Sequence, residues 1–307
     1  MNEEMFDAVI IGGGPAGLNA ALMLGRARKK AVVIDEGKPR NRVTREAHGF
    51  LTRDGIPPGE LRRVAKEQIV RYPSISFVEE AVQSVSGTDG HFQITTTQGL
   101  TFHSKKLLFA IGMKDQPLHI PGLPEVYGKS AFVCPYCDGW ELRDEPLVII
   151  TRGAEAMHFI PLISGWTDRF TLCTNGPDGL TEADREDLRR HGVPFYDAKI
   201  RSIESEDGIV RQVILEDGTA IPCRGIFFRP DLIIGSPLPQ TLGCQVTETG
   251  TINVDEFGRT TVPGVYSAGD AVTMRHQAIA AASSGAMAAA ALNNELNLEA
   301  WRGRGIE

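Results

Sequence analysis

The apolar run FDAVII at 6–11 ends in GGGPAG, and LNAALMLGRAR then repeats its apolar residues at helical spacing. A strand, a tight turn and a helix are therefore predicted in succession. KAVVIDEG predicts a second strand, closing on Asp35 and Glu36. From 75 to 111 the apolar positions alternate through ISFVEEAVQSVSG, HFQITTTQG and LTFHSKKLLFAIG, predicting a three-stranded meander that returns to the sheet at LLFAIG. MKDQPLHIPGLPE carries three prolines and reads as a linker. A new strand, PLVIIT, and a helix, GAEAMHFIPLISGW, follow. The pattern continues with RFTLCTNG, a helix over TEADREDLRRHG, and strands in VPFYDAKIRSIES, IVRQVILEDG and IPCRGIFFRP. VYSAGDAVTMRHQAIAAASSGAMAAAALNNEL predicts a strand, a turn ending in Asp270 and an alanine-rich helix, with NLEAWRGRGIE as a short tail.

Alternating strands and helices of this kind give an α/β chain. At 307 residues, against the usual ~100–200 per domain, two domains are expected. The second βαβ unit reads as an insertion in the first: 1–115 and 246–307 form one domain, 116–245 the other. The net charge of −7 comes from dispersed acids without a lysine or arginine block, so neither nucleic acid nor a membrane surface is an expected partner. MNEEMFDAVI lacks the basic start and cleavage site of an export signal, and no apolar run reaches the ~18 residues of a spanning helix, which predicts a cytoplasmic protein. Five cysteines in so long a chain are too few and too odd a set for a secreted disulfide framework.

Chemistry enters at two places. Gly12, Gly14 and Gly17 stand between a strand and a helix, with Asp35 and Glu36 near the ~20-residue spacing of a ribose-binding acid. The first glycine permits the turn, the second lets backbone approach a pyrophosphate, and the third packs helix on strand. In FVCPYCDGWE, Cys134 and Cys137 flank a proline and a tyrosine. A structural zinc would need four ligands, and no second Cys-x-x-Cys or close histidine pair exists, so no metal site is expected. A static disulfide is at odds with a reducing cytosol, which leaves redox chemistry, with Asp138 placed to move a proton. Cys173, Cys223 and Cys244 stand singly in strand contexts and read as inert buried thiols.

Taken together, GGGPAG, VCPYCDGW and VYSAGDA…RHQAIAAASSG resemble the low-molecular-weight thioredoxin reductase-like flavoproteins, over nearly the full chain. The resemblance implies two Rossmann-like, three-layer FAD/NAD(P)-binding domains and a homodimer. It implies FAD held by Gly12, Gly14, Pro15, Ala16, Gly17, Asp35 or Glu36, Gly112, Gly269, Asp270, His276, Gln277 and Ala278, with Asp270 on the ribityl chain and Gln277 on the pyrimidine ring. Cys137 would face the flavin and Cys134 the substrate.

The middle domain departs from the family. Its Gly-x-Gly-x-x-Ala turn reads TRGAEA, with Thr151 for the first glycine, and the His-Arg-Arg clamp for the 2′-phosphate of NADPH is replaced by Thr174, Asn175 and Gly176. With HGFLTRDG at 48–55, the chain looks most like the subgroup with gliotoxin- and holomycin-type dithiol oxidases, which pass electrons from a small dithiol through disulfide and FAD to oxygen. Related flavoproteins take electrons from ferredoxin instead. Asp138, where the oxidases mostly carry histidine, is closer to thioredoxin reductases and keeps a thioredoxin-like protein as a partner. The competing readings are an NADPH-dependent thioredoxin reductase and a flavin-binding sensor without turnover. His276 either tunes the flavin or caps the helix, and His48 stands open in the same way. Trp301 either packs on the surface of a frayed tail or, with Gly303 and Gly305 as hinges, folds back over the flavin.

Overall fold

A computed structural model describes residues 4–116 and 118–304. The chain opens with β1 (Met5–Ile11), α1 (Pro15–Arg26), β2 (Ala31–Ile34), α2 (Pro58–Ile69) and β3 (Ile75–Val78). Strands β4 (Val82–Thr88), β5 (His91–Thr96), β6 (Thr101–Phe109) and β7 (Met113–Asp115) follow. Next come α3 (Leu123–Val126), β8 (Ala131–Phe132), α4 (Pro135–Asp138), β9 (Leu147–Ile150), α5 (Gly153–Ile163), β10 (Phe170–Cys173), α6 (Glu182–Arg190) and β11 (Phe195–Tyr196). Strands β12 (Ile200–Glu206), β13 (Ile209–Leu215), β14 (Ala220–Pro222), β15 (Gly225–Phe228) and β16 (Leu232–Ile234) lead to α7 (Leu238–Thr241), β17 (Val265–Ser267) and α8 (Ala278–Gly303).

Two compact units result. The first holds the chain up to Arg42, Gly49–Asp115 and the chain from Leu232 on; the second holds Val43–His48 and Gln116–Asp231. The return therefore falls at 232 and not at the expected 246. β16 pairs antiparallel with β7, and Leu238 and Cys244 are buried with Val9, Phe109 and Ile252 of the first unit, so apolar packing draws this stretch back early.

The sheet of the first unit runs β3-β2-β1-β6-β5-β4, with β17 also on β6. At its centre the parallel strands are apolar where both faces are covered: all four residues of β2 and the last four of β1 are buried. β6 is long enough to serve two neighbours on one edge, β5 along Thr101–Ser104 and β17 along Leu107–Phe109. The meander is β4-β5-β6; Ile75–Val78, expected within it, pairs parallel with β2 instead. Over the four residues of Ile75–Val78, alternation marks a strand but is too short to fix which strand it pairs with. In the second unit, β11-β10-β9-β15-β8 is all parallel, beside an antiparallel β12-β13-β14. Among the described residues no helix is long and apolar enough to cross a membrane.

α8 runs to Gly303, so the expected tail is helical at least that far: Asn, Leu, Glu and Ala in NLEA continue the helix past buried Leu296. It is tied to the sheet by Lys106, fully buried on β6, whose Nζ lies 2.7 Å from Asp89 and 2.5 Å from both Glu295 and Glu299. Burial disfavours its charge, but hydrogen bonds to the three carboxylates outweigh that and hold Lys106 above the ordinary lysine range. The acids are grouped as a cation site would be, and the ammonium is the cation. Lys106→Met leaves them facing one another. We expect a loss of about 2–3 kcal/mol at neutral pH, below the ~3–5 of a fully buried pair because the acids keep some water, and shrinking in acid. Urea unfolding at two pH values measures it.

Candidate active site

The first glycine turn is built by close backbone approach. A Cβ on Gly12 (φ +110°) would lie 2.2 Å from the Ala110 carbonyl oxygen, and one on Gly17 would lie 1.9 Å from that of Gly12. Gly14, by contrast, has open space where its Cβ would be. Pro15 starts α1, and Gly14, as its N-cap, offers no side chain, so the N–H groups of the first turn are left uncovered. Asp35 and Glu36 divide the role that spacing assigned to either. Asp35 accepts from the Gly13 N–H (2.9 Å) and the Gly37 N–H (3.2 Å) and pairs with Arg62, which also donates to the Gly13 carbonyl (3.1 Å). Asp35 thus braces the turn, and Glu36, beside Lys38 at the surface, is the freer acid. Arg62 had no signal in the sequence, since its partner lies 27 residues away.

Gly269 (φ +81°) places Asp270 in a short 3-10 turn packed on Ala16. Burial raises the Asp270 carboxyl, opposed by His276 and Arg40, and burial lowers His276. The hydrogen bonds of His276 fix its tautomer. Arg40 can only donate, so Nδ1 accepts from it at 3.1 Å; the Thr273 carbonyl can only accept, so Nε2 donates to it at 2.9 Å. Arg40 is held in turn by Asp115 at 2.6 Å. His276 therefore makes no capping bond to α8; it is a neutral brace between the 3-10 turn and Gln277, the exposed N-cap residue of α8, with Ala278 its first helical residue. Gly112 (φ +61°) accepts the Gly235 N–H at 2.9 Å. Trp301 lies in the last turn of α8, 74% exposed, where helix replaces the expected hinge at Gly303; Gly305 lies outside the described residues.

In the second unit Cys134 and Cys137 are joined as a disulfide, with Cα atoms 5.3 Å apart. Cys134 is the N-cap of α4, a single turn, and Pro135 fills the position where an N–H is not needed. Gly139 ends the turn against Trp166: a Cβ there would lie 2.4 Å from the Pro135 carbonyl oxygen and 2.8 Å from the indole. Both cysteines are half-buried. Cys173, Cys223 and Cys244 are buried and free, and burial pushes the first two up to about 12, which leaves them inert. Asp138 is different: burial, reinforced by Glu141 and opposed by His48, pushes its carboxyl up to about 7. A carboxyl there can both take and return a proton near neutrality.

The second glycine turn is closed by the chain itself. Thr151 is buried, with Oγ1 at 3.3 Å from Glu155. The N–H of Gly153, first in α5, donates to the Asp178 carbonyl at 2.6 Å, and a Cβ on Gly179 would lie 3.5 Å from the Gly153 Cα. Asp178 is fixed by Arg185 at 2.5 Å. Thr174 Oγ1 donates to the Gly176 carbonyl (2.7 Å), within its own loop, and Asn175 accepts the Ile200 N–H (2.8 Å) at the start of β12.

Asp138 gives a pH signature. Its carboxyl goes from an ordinary 3.8 to about 7 in the fold, so across that window the folded protein keeps a proton the unfolded chain has lost, and rising pH destabilises it. Asp138→Asn should match the parent near the acid end and exceed it by about 2–4 kcal/mol at about pH 8, read by urea unfolding of the oxidised protein. Parallel curves for the two proteins would show an unshifted carboxyl.

The family model for "Pyridine nucleotide-disulphide oxidoreductase" matches residues 6–286. The thioredoxin reductase aclD of Aspergillus oryzae is 30% identical over 96% of this chain and 98% of its own. Among solved structures, an oxidoreductase from Agrobacterium tumefaciens shares 36% identity with a TM-score of 0.90, covering 96% of this chain and 99% of that one. HlmI shares 32% with a TM-score of 0.92, covering 99% and 97%. With its two Rossmann-like units, its glycine turn and its paired cysteines, the chain belongs to the pyridine nucleotide-disulphide oxidoreductase family, as a thioredoxin reductase-like enzyme acting on sulfur groups.

Proposed function

We propose that this protein is an FAD-dependent dithiol/disulfide oxidoreductase that exchanges electrons with a thiol partner through Cys134–Cys137 and does so without NADPH. The observation that carries the last clause is the bond from the Gly153 N–H to the Asp178 carbonyl. A nucleotide pyrophosphate is received by N–H groups at the start of the helix after the strand. In α5 that position holds a backbone oxygen, braced by the Asp178–Arg185 pair. The segment after β10, Thr174 to Gly176, supplies no cation for a 2′-phosphate.

The first turn supports FAD, since its crowded glycines and the open Gly14 form the cradle a pyrophosphate needs. Gly12, Gly14, Pro15, Ala16 and Gly17 would hold the phosphates, and Glu36 the ribose. Gly112, Gly269 and Asp270 would hold the ribityl chain, and His276, Gln277 and Ala278 the pyrimidine edge. Bound there, FAD supplies a two-electron acceptor for the dithiol. The protein's own part is thiol exchange: Cys134 meets the partner, Cys137 faces the flavin, and Asp138 handles the proton. A small dithiol or a thioredoxin-like protein fits as partner, with oxygen or ferredoxin at the other end of the electron path. The resemblance extends the proposal to a cytoplasmic homodimer.

Two outcomes are expected. Gly14→Ala, which meets no protein atom, should fold normally yet bind FAD at least tenfold more weakly, about 1.4 kcal/mol, whereas Gly17→Ala should lose the fold itself. Far-ultraviolet circular dichroism and released flavin distinguish them. In anaerobic titrations with NADPH, NADH, a small dithiol, reduced thioredoxin and reduced ferredoxin, a dithiol should bleach the flavin while NADPH does so only slowly. Saturable bleaching by micromolar NADPH would overturn the NADPH-free reading.

A further inference from the structure

Val43–His48 leaves the first unit and packs with the second. Its approach is close: a Cβ on Gly128 (φ +75°) would lie 2.3 Å from the Val43 carbonyl oxygen. The segment ends in His48, whose side chain is 18% exposed, with Nε2 at 3.6 Å from Glu46 and 3.7 Å from Glu141. Glu141 and His48 are also the two charged groups that act on Asp138, the residue after Cys137. Asp138 is half-buried, while Glu46 and Glu141 reach water, with side chains 57% and 41% exposed. An imidazole thus lies against Glu46 and against Glu141, which follows Asp138 closely in the chain, and imidazole is the side chain that exchanges protons near neutral pH.

We propose that His48 is a positioning residue for disulfide exchange, relaying to Glu46, Glu141 and water the proton that Asp138 takes from the thiol partner. The inference rests on the dithiol reading above. One substrate sulfur, ionised in water, attacks Cys134; the Cys134–Cys137 bond breaks and its electron pair leaves on Cys137. Asp138 takes the proton of the second substrate thiol, whose sulfur then attacks the first. The bond to Cys134 breaks, and Cys134 leaves as thiolate. The substrate loses two electrons and two protons, and the enzyme disulfide gains the electrons. Asp138 must shed its proton before the next cycle, and His48 is the exit.

The test is anaerobic rapid mixing of the oxidised, FAD-loaded protein with dithiothreitol from acid to alkaline pH. Acid-quenched thiol counting and flavin bleaching are followed together. We expect His48→Ala to slow exchange about ten- to a hundredfold at neutral pH, to alter the pH profile, and to regain rate with added imidazole. His48→Ala in an Asp138→Asn background should cost nothing further, since both act on one proton. His48→Gln, closer in volume, should show the same profile if removal of the side chain alone leaves the fold unsettled. A His48→Gln profile superimposed on the parent's, or losses that multiply in the double variant, would overturn the relay. A parent disulfide that dithiothreitol does not reduce at any pH would overturn the dithiol reading with it.

Discussion

The first unit depends on backbone meeting backbone at Gly12, Gly17 and Gly285. A Cβ on Gly17 would sit 1.9 Å from the Gly12 carbonyl oxygen, and one on Gly285 would sit 2.0 Å from that of Ala16. These contacts set α1 against the strand ends and α8 against α1, an interface of Ala16, Ala20, Ala281, Ala288 and Leu292. Small side chains let the helices come close, and close helices hold the turn in the shape that leaves Gly14 open. The open position at Gly14 follows from that packing, with the Asp35 and Arg62 side chains bracing the neighbouring Gly13.

The second unit uses the same strand, turn and helix with a different outcome. At Gly153 the conformational freedom (φ +60°) admits the chain's own Asp178 carbonyl. That oxygen lies 2.6 Å from the Gly153 nitrogen, and Arg185 pairs with the Asp178 carboxylate at 2.5 Å. The Rossmann-like scaffold of this unit is held by its own core, with Val148, Ile150, Cys173 and Ile226 buried.

Charge is arranged differently in the two units. Lys106 meets three acids in the first and fixes a helix. At Asp138 no cation of comparable strength balances burial and Glu141, and the carboxyl remains able to exchange its proton near neutrality. One arrangement gives rigidity, the other reactivity.

Periodicity and glycine spacing determined the strand–turn–helix order, the two-domain plan and the paired cysteines, because these are local: a turn needs φ > 0 where it stands, and Cys-x-x-Cys closes within one helical turn. That Thr174, Asn175 and Gly176 carry no cation was legible for the same reason. What tertiary structure decided was every choice among distant partners. Alternation could not say that Ile75–Val78 joins β2 and leaves the meander, nor where apolar packing calls the chain back at Leu232. Asp35 and Glu36 were equivalent in spacing until Arg62 and the Gly13 N–H engaged Asp35. His276 acquired its tautomer from Arg40, 236 residues away, and His48 meets Glu141 because its own segment packs with the second unit. Hydrogen bonds and burial act through space, and neither leaves a period along the chain.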